Sequence, residues 1–407
     1  MRILVLSDIH AMSRELVELD KKRGLTPDAK AYSGATGSTY FAEDRPKLQN
    51  RILAIGDVLQ SYSGEIDALF VLGDMAHQAK TLAMHQVWHD AHTLGNSLGI
   101  ENIVGIVGNH DIYSRAKSLP EAESLSDHLQ SIIPQFPVSD QQVCQEYFAD
   151  SVASFAIGGC RIVILNTCHL HGLGGDEASV KELFRRGNVS SRMIEKVNSI
   201  FQGSEETHFI VAMHHHPRML PIPADTFNDT MERGEALLSE ISKHNRSVLI
   251  LHGHKHLVSL SQMTDDTSSP VLFSAASLAA EPYPGQAHYF SNQFHLIEFD
   301  LEILDRAKGK VYSWDWSDPN WEESTRPHMP HEKPFGMKVD FDEIASKLVT
   351  LPLKPMYKQE ALFEAIPELT GYSRNDVAQI NSLLHETPKS LVINGERLCL
   401  IYDEEIG

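Results

Sequence analysis

Residues 103–111 read Ile-Val-Gly-Ile-Val-Gly-Asn-His-Asp, an apolar run that ends on a glycine and three polar side chains. The run is short and rich in β-branched residues, which predicts a buried strand rather than a helix. Similar runs near the start of the chain lead into Ser7-Asp-Ile-His10 and Leu72-Gly-Asp74. The sequence therefore predicts a sheet with chemically active side chains at one edge.

Two later apolar runs, 209–213 and 248–251, lead into His214-His-His-Pro217 and His252-Gly-His-Lys-His256. Because the carboxyl ends of strands share one edge in an open α/β sheet, five strand ends would gather Asp, His and Asn together. In Asp8-x-His10 and His254-x-His256, residues two apart on an extended chain point the same way. Carboxylate, imidazole and amide donors favour Mn, Fe, Zn or Co over Ca or Mg.

Strand-like runs alternate with helix-period stretches over roughly residues 1–307, which predicts a layered α/β domain. The predicted strands are Ile3–Ser7, Ala68–Leu72, Ile103–Val107, Ser154–Ile157, Ile162–Leu165, Phe209–Met213, Val248–Leu251, Val271–Ser274 and Phe294–Phe299. The predicted helices are Pro46–Tyr62, Lys80–Leu98, Ser190–Phe201 and Met231–His244, with Ser190 or Ser191 capping the third. Polar, Gly/Ser-containing residues 13–45 indicate an inserted loop, and 112–150 and 169–190 indicate further insertions.

The last hundred residues differ in composition from the rest. Tryptophans and prolines with little periodicity over 308–340 predict an ordered linker that packs on the main domain. Two helical stretches, Lys358–Leu369 and Ser373–His385, and a hairpin signal at Asn394-Gly395 predict a small α+β module over 341–407, of winged-helix-like composition. Its 6 Lys/Arg against 11 Asp/Glu give −5, which favours a packing role, a protein partner or an oligomer contact over DNA.

Charge and cysteine content narrow the function classes. The 35 Lys and Arg against 55 Asp and Glu give a net charge of −20, which disfavours nucleic-acid binding. The four cysteines, at 144, 160, 168 and 399, are too scattered for a disulfide scaffold or a CxxC metal site, which predicts free thiols in the cytoplasm. No apolar run approaches the ~20 residues of a membrane helix, so no membrane association is expected.

In this order, Asp-x-His at 8–10, Gly-Asp at 73–74, Gly-Asn-His-Asp at 108–111, the histidines before Pro217 and Gly-His-x-His at 253–256 resemble the signature of the calcineurin-like metallophosphoesterase superfamily. The resemblance covers about residues 1–300. It implies a four-layer fold, a two-sheet β-sandwich flanked by helices, whereas alternation alone suggests a doubly wound sheet. It also implies two divalent metal ions (Mn, Fe, Zn or Co), of which Mn is favoured.

The resemblance assigns Asp8, His10 and His256 to one ion, Asn109, His215 and His254 to the other, and Asp74 to both. Asp57 is the rival for the bridge, because Gly56-Asp57 also fits Gly-Asp, but it follows a helix-like stretch. In the histidine triplet the family's ligand stands two residues before proline, which selects His215, with His214 as the alternative at the strand end. His252 is interpreted as structural or as a support for a ligand.

In the family's reaction, a hydroxide that bridges the two ions attacks phosphorus in line. His110 would contact the phosphate and protonate the leaving oxygen, and Asp111 would orient His110. His216 and Arg218 are candidates for binding substrate, although an exposed loop explains them almost as well.

The histidine triplet before Pro217 and the segment from Gly187 resemble the bacterial cyclic-nucleotide phosphodiesterase group, which implies a small phosphodiester as substrate. A phosphomonoesterase, a repair-type nuclease and a metal-bound protein-interaction scaffold are the alternatives.

Overall fold

The computed structural model describes residues 1–13, 38, 40–41, 50–113, 127–172, 184–220, 230–263, 269–280, 291–304, 306–336, 341–371, 374–385, 387–394 and 397–402. Most of the predicted insertion 13–45, and parts of those at 112–150 and 169–190, lie outside the described residues. None of the helices in the described ranges is both long enough and apolar enough to span a membrane.

The strands in these ranges are β1 (Arg2–Leu6), β2 (Ala68–Val71), β3 (Asn102–Gly105), β4 (Val152–Ile157), β5 (Cys160–Leu165), β6 (His208–Ala212), β7 (Ser247–His252), β8 (Ser259–Gln262), β9 (Val271–Ser274), β10 (Gln293–Phe299), β11 (Gly309–Ser317), β12 (Asn320–Glu323), β13 (Thr325–Arg326), β14 (Met329–Pro330), β15 (Glu332–Phe335), β16 (Met356–Tyr357), β17 (Lys389–Asn394) and β18 (Arg397–Tyr402). The α-helices are α1 (Arg51–Val58), α2 (Thr81–Leu98), α3 (Asp127–Gln130), α4 (Gln141–Asp150), α5 (Ser191–Gly203), α6 (Gly234–Ser242), α7 (Phe341–Thr350), α8 (Gln359–Ala365) and α9 (Arg374–Leu384).

The first sheet runs in the order β12-β11-β10-β1-β2-β3, and β15 also pairs with β11. Strands β1, β2 and β3 are parallel, so their carboxyl ends lie at one edge. Strand β10 closes the other side of β1 in an antiparallel pairing that sets Leu4 opposite Leu296. Strand β1, which comes first in the sequence of the domain, therefore lies in the middle of its sheet.

The second sheet runs in the order β4-β5-β6-β7-β9-β8, with β5, β6, β7 and β9 parallel. Its side chains alternate between two cores, as the period of a strand requires. Ile210 and Leu249 join the core shared with the first sheet, whereas Phe209 and Val248 join the core under α5 and α6. Helices α1 and α2 contribute to the first core through residues such as Ile52 and Trp88. The result is the layered sandwich implied by the resemblance, not one doubly wound sheet.

The nine predicted strands are all present, and each predicted helix of the main domain overlaps an observed one. Ser190 caps α5, because its hydroxyl accepts a hydrogen bond from the Met193 amide at 3.2 Å. Both results follow from signals within the segment itself, an apolar run for a strand and a side-chain cap for a helix.

Residues 309–335 differ from the expected linker, since they form β11 to β15. Strand β10 pairs along its whole length with residues 309–315 of β11, and the Trp314 ring stacks on Phe294 with ring centroids 4.7 Å apart. The Trp316 ring lies under the Arg51 guanidinium at 4.6 Å. Trp314 and Trp316 are two residues apart and therefore lie on the same face of β11, the face that contacts Phe294 and Arg51.

The C-terminal residues form a small α+β unit in which α7, α8 and α9 pack against the sheet β16-β18-β17. It has a hydrophobic core of its own, which includes Leu348, Leu362, Ile380 and Leu398. Strands β17 and β18 pair as a hairpin with Asn394 opposite Arg397, and the turn residues 395–396 lie outside the described ranges. Helix α7 was not among the predicted elements.

Candidate metal centre

Loops that follow β1, β2, β3, β6 and β7 meet at the common edge of the two sheets. The predicted ligands on them are all buried, at 7% exposed or less: Asp8, His10, Asp74, Asn109, His215, His254 and His256. The structure therefore brings together side chains that are up to 248 positions apart in the numbering, from Asp8 to His256.

One group of donors gathers Asp8, His10 and His256. The Nε2 atoms of His10 and His256 lie 3.0 Å apart, and His256 Nε2 lies 3.5 Å from Asp8 Oδ1. The Asp8 carboxylate is held in place, because Oδ2 accepts hydrogen bonds from Ser7 Oγ at 2.6 Å and from the His254 amide at 3.0 Å. Three donors thus face a common point in a fixed arrangement.

A second group gathers around Asn109. Its Oδ1 lies 3.0 Å from His214 Nε2 and 2.9 Å from His254 Nδ1. The other nitrogen of His214, Nδ1, lies 2.8 Å from the Leu72 carbonyl, to which it can donate. A proton on Nδ1 is the arrangement in which Nε2 can bind a metal ion, as is usual for histidine ligands.

Asp74 lies between the two groups. Its Oδ2 is 3.4 Å from His10 Nε2 and also 3.4 Å from His214 Nε2, while Oδ1 accepts a 2.7 Å hydrogen bond from the His110 amide. Burial raises the pKa of Asp74, but His214 and His110 outweigh it and hold the pKa well below its ordinary value. Burial lowers the pKa of His214, and Asp74 more than compensates, raising it to about 9.

His215 has different hydrogen-bond partners from His214, although the ligand atoms of His214, His215 and His254 also lie within 4.8 Å of one another. Its Nδ1 lies 2.8 Å from Thr167 Oγ1, and its ring centroid is 4.4 Å from that of His254. The adjacent His216 is buried and stacks on His254 with centroids 5.8 Å apart. His252 is also buried, and burial lowers its pKa to about 4.

Two sequence candidates lie away from the cluster. Asp57 is exposed on helix α1, so it does not share the strand edge with the other ligands. The Arg218 side chain interacts with Glu235 Oε1, at 3.3 Å from Nε, and with the Met263 carbonyl. These contacts hold the Arg218 side chain against α6 and the end of β8 rather than against Asp74.

His110 lies over the first group of ligands, with its ring edge-on to His10 at 4.6 Å. Asp111 is fully buried and accepts hydrogen bonds from the amides of Gly108, at 2.9 Å, and Ala76, at 3.2 Å. Burial and then the charge of Asp74 raise the pKa of Asp111 to about 7. Through these bonds Asp111 ties the loop after β3 to the loop after β2.

His77 was not among the sequence candidates. Its ring stacks on His110 with centroids 5.5 Å apart, and His10, His77 and His110 form a group with ligand atoms within 4.8 Å of one another. The available signal was its position three residues after Asp74 in Asp-Met-Ala-His.

The backbone of the site is unusual. Asp8, His10, Asp74, His254 and His256 all have positive φ angles, between 50° and 80°. Such conformations are strained for non-glycine residues and persist where the surrounding structure enforces them, often at functional sites.

Two glycines allow the loops to approach each other. A Cβ at Gly73 would lie 2.6 Å from His214 Nδ1, and one at Gly108 would overlap the Asp74 carboxylate.

The residues present fit a pair of divalent cations. Several groups of three donors have ligand atoms within 4.8 Å of one another, among them Asp8, His10 and His256, and Asp8, Asp74 and His214. Nitrogen and oxygen donors of this kind suit Mn, Fe, Zn or Co. Two carboxylates buried among imidazoles are costly unless a positive charge compensates them, which a bound cation does.

A layered sandwich that gathers Asp, Asn and His donors at shared strand ends is the architecture of a metallohydrolase. The chain belongs to the calcineurin-like phosphoesterase family, whose model matches residues 1–258. Membership implies a metal-dependent phosphoesterase.

Solved structures to which the chain is similar include a dimetal phosphatase from Danio rerio, at 14% identity, TM-score 0.47, and coverage of 77% of this chain and 95% of that one. The match to a purple acid phosphatase from yellow lupin seeds has 12% identity and TM-score 0.46, and it covers 79% of this chain and 52% of that one. A 5'-nucleotidase from Candida albicans has 10% identity and TM-score 0.34, with coverage of 74% and 47%. No curated protein matches the sequence.

Proposed function

We propose that this protein is a binuclear metal-dependent hydrolase that prefers small phosphodiesters, such as a cyclic nucleotide. The observation that carries the proposal is the position of Asp74 Oδ2, at 3.4 Å from His10 Nε2 and from His214 Nε2. A carboxylate shared equally by two groups of ligands is what a pair of neighbouring ions requires.

In this proposal Asp8, His10, Asp74 and His256 hold one ion, and Asp74, Asn109, His214 and His254 hold the other. His214 takes the place expected for His215, because its Nε2 faces both Asn109 and Asp74. Two bound divalent ions supply Lewis acidity toward the phosphoryl oxygens and lower the pKa of a bound water. Manganese is the proposed metal.

Side chains of the protein itself supply the proton to the leaving oxygen and fix the position of the group that transfers it. We assign His110 to the transfer of a proton to the leaving oxygen, since it lies beside His10 at the first group of ligands and is partly exposed. His77 stacks against it and restricts its ring. The Asp111 carboxylate positions His110 indirectly, by holding the amides of Gly108 and Ala76.

The diester preference rests on charge and on the sequence resemblance. A net charge of −20 repels a dianionic monoester more than a monoanionic diester. A cytoplasmic location is proposed as well, because all four cysteines are free thiols.

The test compares hydrolysis of bis(p-nitrophenyl) phosphate and p-nitrophenyl phosphate, in Mn²⁺ and in chelator. We expect metal-dependent cleavage with the higher kcat/KM on the diester. Asp74→Asn should lower kcat/KM by more than about 100-fold, a larger effect than loss of a supporting residue typically gives. Asp57→Asn, on the exposed face of α1, is the matched control and should leave the rate unchanged.

Preference for the monoester would contradict the proposed specificity and favour a phosphatase. Absence of turnover with both ions bound would contradict hydrolysis itself and favour a protein-interaction scaffold.

A further inference from the structure

A second cluster of ligand-type side chains lies behind the proposed binuclear centre. Cys168, His171 and His215 are buried at 1%, 0% and 0% exposed, and their ligand atoms all lie within 4.8 Å of one another. The group formed by Asp8, His10 and His256 meets the same distance limit. The cluster therefore meets the same distance limit as the donors assigned to the binuclear site.

The loop after β5 brings two of these residues together. It reads Asn166-Thr-Cys-His-Leu-His171 and closes a tight turn, in which the His171 amide donates to the Cys168 carbonyl at 2.9 Å. The Asn166 side chain accepts from the Cys168 amide at 3.0 Å. Because β5 is parallel to β6, this loop emerges at the same edge as the histidine triplet, so a sixth strand end carries metal-ligating side chains.

His215 supplies the third donor from the loop after β6. Its Nδ1 is engaged by Thr167 Oγ1 at 2.8 Å, and its ring is 5.3 Å from that of His171. Its Nε2 is buried and has no hydrogen-bond partner among the residues that the structure describes. A buried polar atom without a partner is destabilising, and a metal ion would satisfy it.

We propose that Cys168, His171 and His215 bind a third metal ion, a borderline-soft divalent cation such as zinc. Thiolate with imidazole is a donor set for zinc, whereas the sulfur-free binuclear set suits manganese. Tetrahedral zinc holds its ligand atoms about 3.5 Å apart, and the three donors lie within 4.8 Å of one another, so each pair needs to close by no more than about 1.3 Å.

The third ion would connect two loops of the second sheet, those after β5 and β6. His215 contacts the His254 ring at 4.4 Å, and His254 is a proposed ligand of the second ion. The third site therefore fixes the position of a binuclear ligand without sharing that ligand.

The experiment uses the full-length protein loaded with Co²⁺ in place of its native metals. A thiolate bound to Co²⁺ gives a sulfur-to-metal charge-transfer band in the near ultraviolet, and the proposed binuclear ligands contain no sulfur. We expect this band in the wild type, together with three equivalents of cobalt per chain by elemental analysis. Cys168→Ser should remove the band and one equivalent. Cys144→Ser, at another buried thiol, should keep both.

A wild-type spectrum without the band, at two equivalents of cobalt, would overturn the proposal and leave Cys168 as a structural thiol that donates to the Val107 carbonyl at 3.5 Å. A band that persists in Cys168→Ser would overturn it too. Absence of the band from the wild type overturns the proposal even if the variant fails to fold. Phosphoesterase activity is measured separately with Mn²⁺, so either proposal can fail without the other.

Discussion

At the scale of single residues, the histidine triplet shows what a motif can and cannot resolve. Three identical side chains in a row offer no pattern that separates them, and the distance to proline selects His215. The structure distinguishes them by their hydrogen bonds, because His214 Nδ1 faces the Leu72 carbonyl and His215 Nδ1 faces Thr167. The direction of each ring depends on neighbours from other strands, which no local motif contains.

Replacement of His214 and His215 by alanine, one at a time, tests the ligand assignment. His214→Ala should lower diester turnover by more than about 100-fold and reduce bound Mn²⁺ from two equivalents to one, because Asn109 and Asp74 lose their shared neighbour. His215→Ala should keep both Mn²⁺ equivalents and lose at most about 10-fold in turnover. Turnover and metal content are measured on the same samples. The opposite ranking would return the ligand to His215.

The cluster around Cys168 was missed for a related reason. The cysteines show no CxxC spacing, which is the usual sequence signal for a thiolate metal site. This group instead combines Cys168 and His171 of one loop with His215 of the loop after a different strand. By contrast, Asp8, Asp74 and Asn109 stand directly after strands, and their convergence follows from the parallel arrangement of those strands.

At the scale of elements, the strands buried on both faces were predictable because their apolar runs are continuous. Strand β8 was not, since Ser259–Gln262 is half-buried and three of its four residues are polar. Strand β11 was missed, although Tyr312, Trp314 and Trp316 alternate with Ser313 and Asp315, which is the period of a strand. Helix α7 does have the helical period, through Ile344, Ala345 and Leu348.

Lys389 connects two elements of the C-terminal unit. It is buried on β17, and its Nζ donates to the carbonyls of Leu348, Val349 and Leu351 at 2.9, 2.8 and 2.6 Å. These carbonyls belong to the last turn of α7 and to the residue that follows it, where a cation is also favoured by the helix dipole.

Lys389→Met should therefore destabilise the C-terminal unit by about 2–3 kcal/mol, the cost of losing hydrogen bonds to a charged group. Hydrogen exchange of α7 and β17 measures the change locally. Diester hydrolysis should stay at the wild-type rate, because the unit has a separate core. Lys354→Met, at a lysine that lies over the Tyr357 ring, is the control. Unchanged exchange in α7 would contradict the capping role.

At the scale of the whole molecule, the two sheets share one core, and His295 lies in it. It belongs to β10 of the first sheet, and its ring is edge-on to Phe273 of β9 in the second, with centroids 4.9 Å apart. Its Nδ1 lies 2.9 Å from Ser313 Oγ. Burial lowers its pKa to about 3, so the folded protein keeps it neutral.

This group makes global stability depend on pH. Below its ordinary pKa of about 6.5, the unfolded chain binds a proton at His295 and the folded protein does not. The stabilisation is complete above pH 6.5 and declines as the pH falls toward 3, by up to about 1.4 kcal/mol per unit. His295→Gln should flatten the pH dependence of urea unfolding by this amount between pH 6.5 and 5. The measurement is made in chelator, which removes the contribution of bound metal to stability. Parallel curves of stability against pH for the variant and the wild type would contradict the prediction.

The central position of β1 also has a consequence during synthesis. Strand β1 pairs with β2 on one side, but its other partner is β10, Gln293–Phe299. At about 5–20 residues per second, a ribosome takes roughly 15–60 s to translate the chain from β1 to β10. During that interval the backbone amides and carbonyls of β1 that pair with β10 have no partner. They form an open sheet edge on the nascent chain. The emerging protein should therefore be a substrate for chaperones that act at the ribosome exit, until β10 closes the sheet.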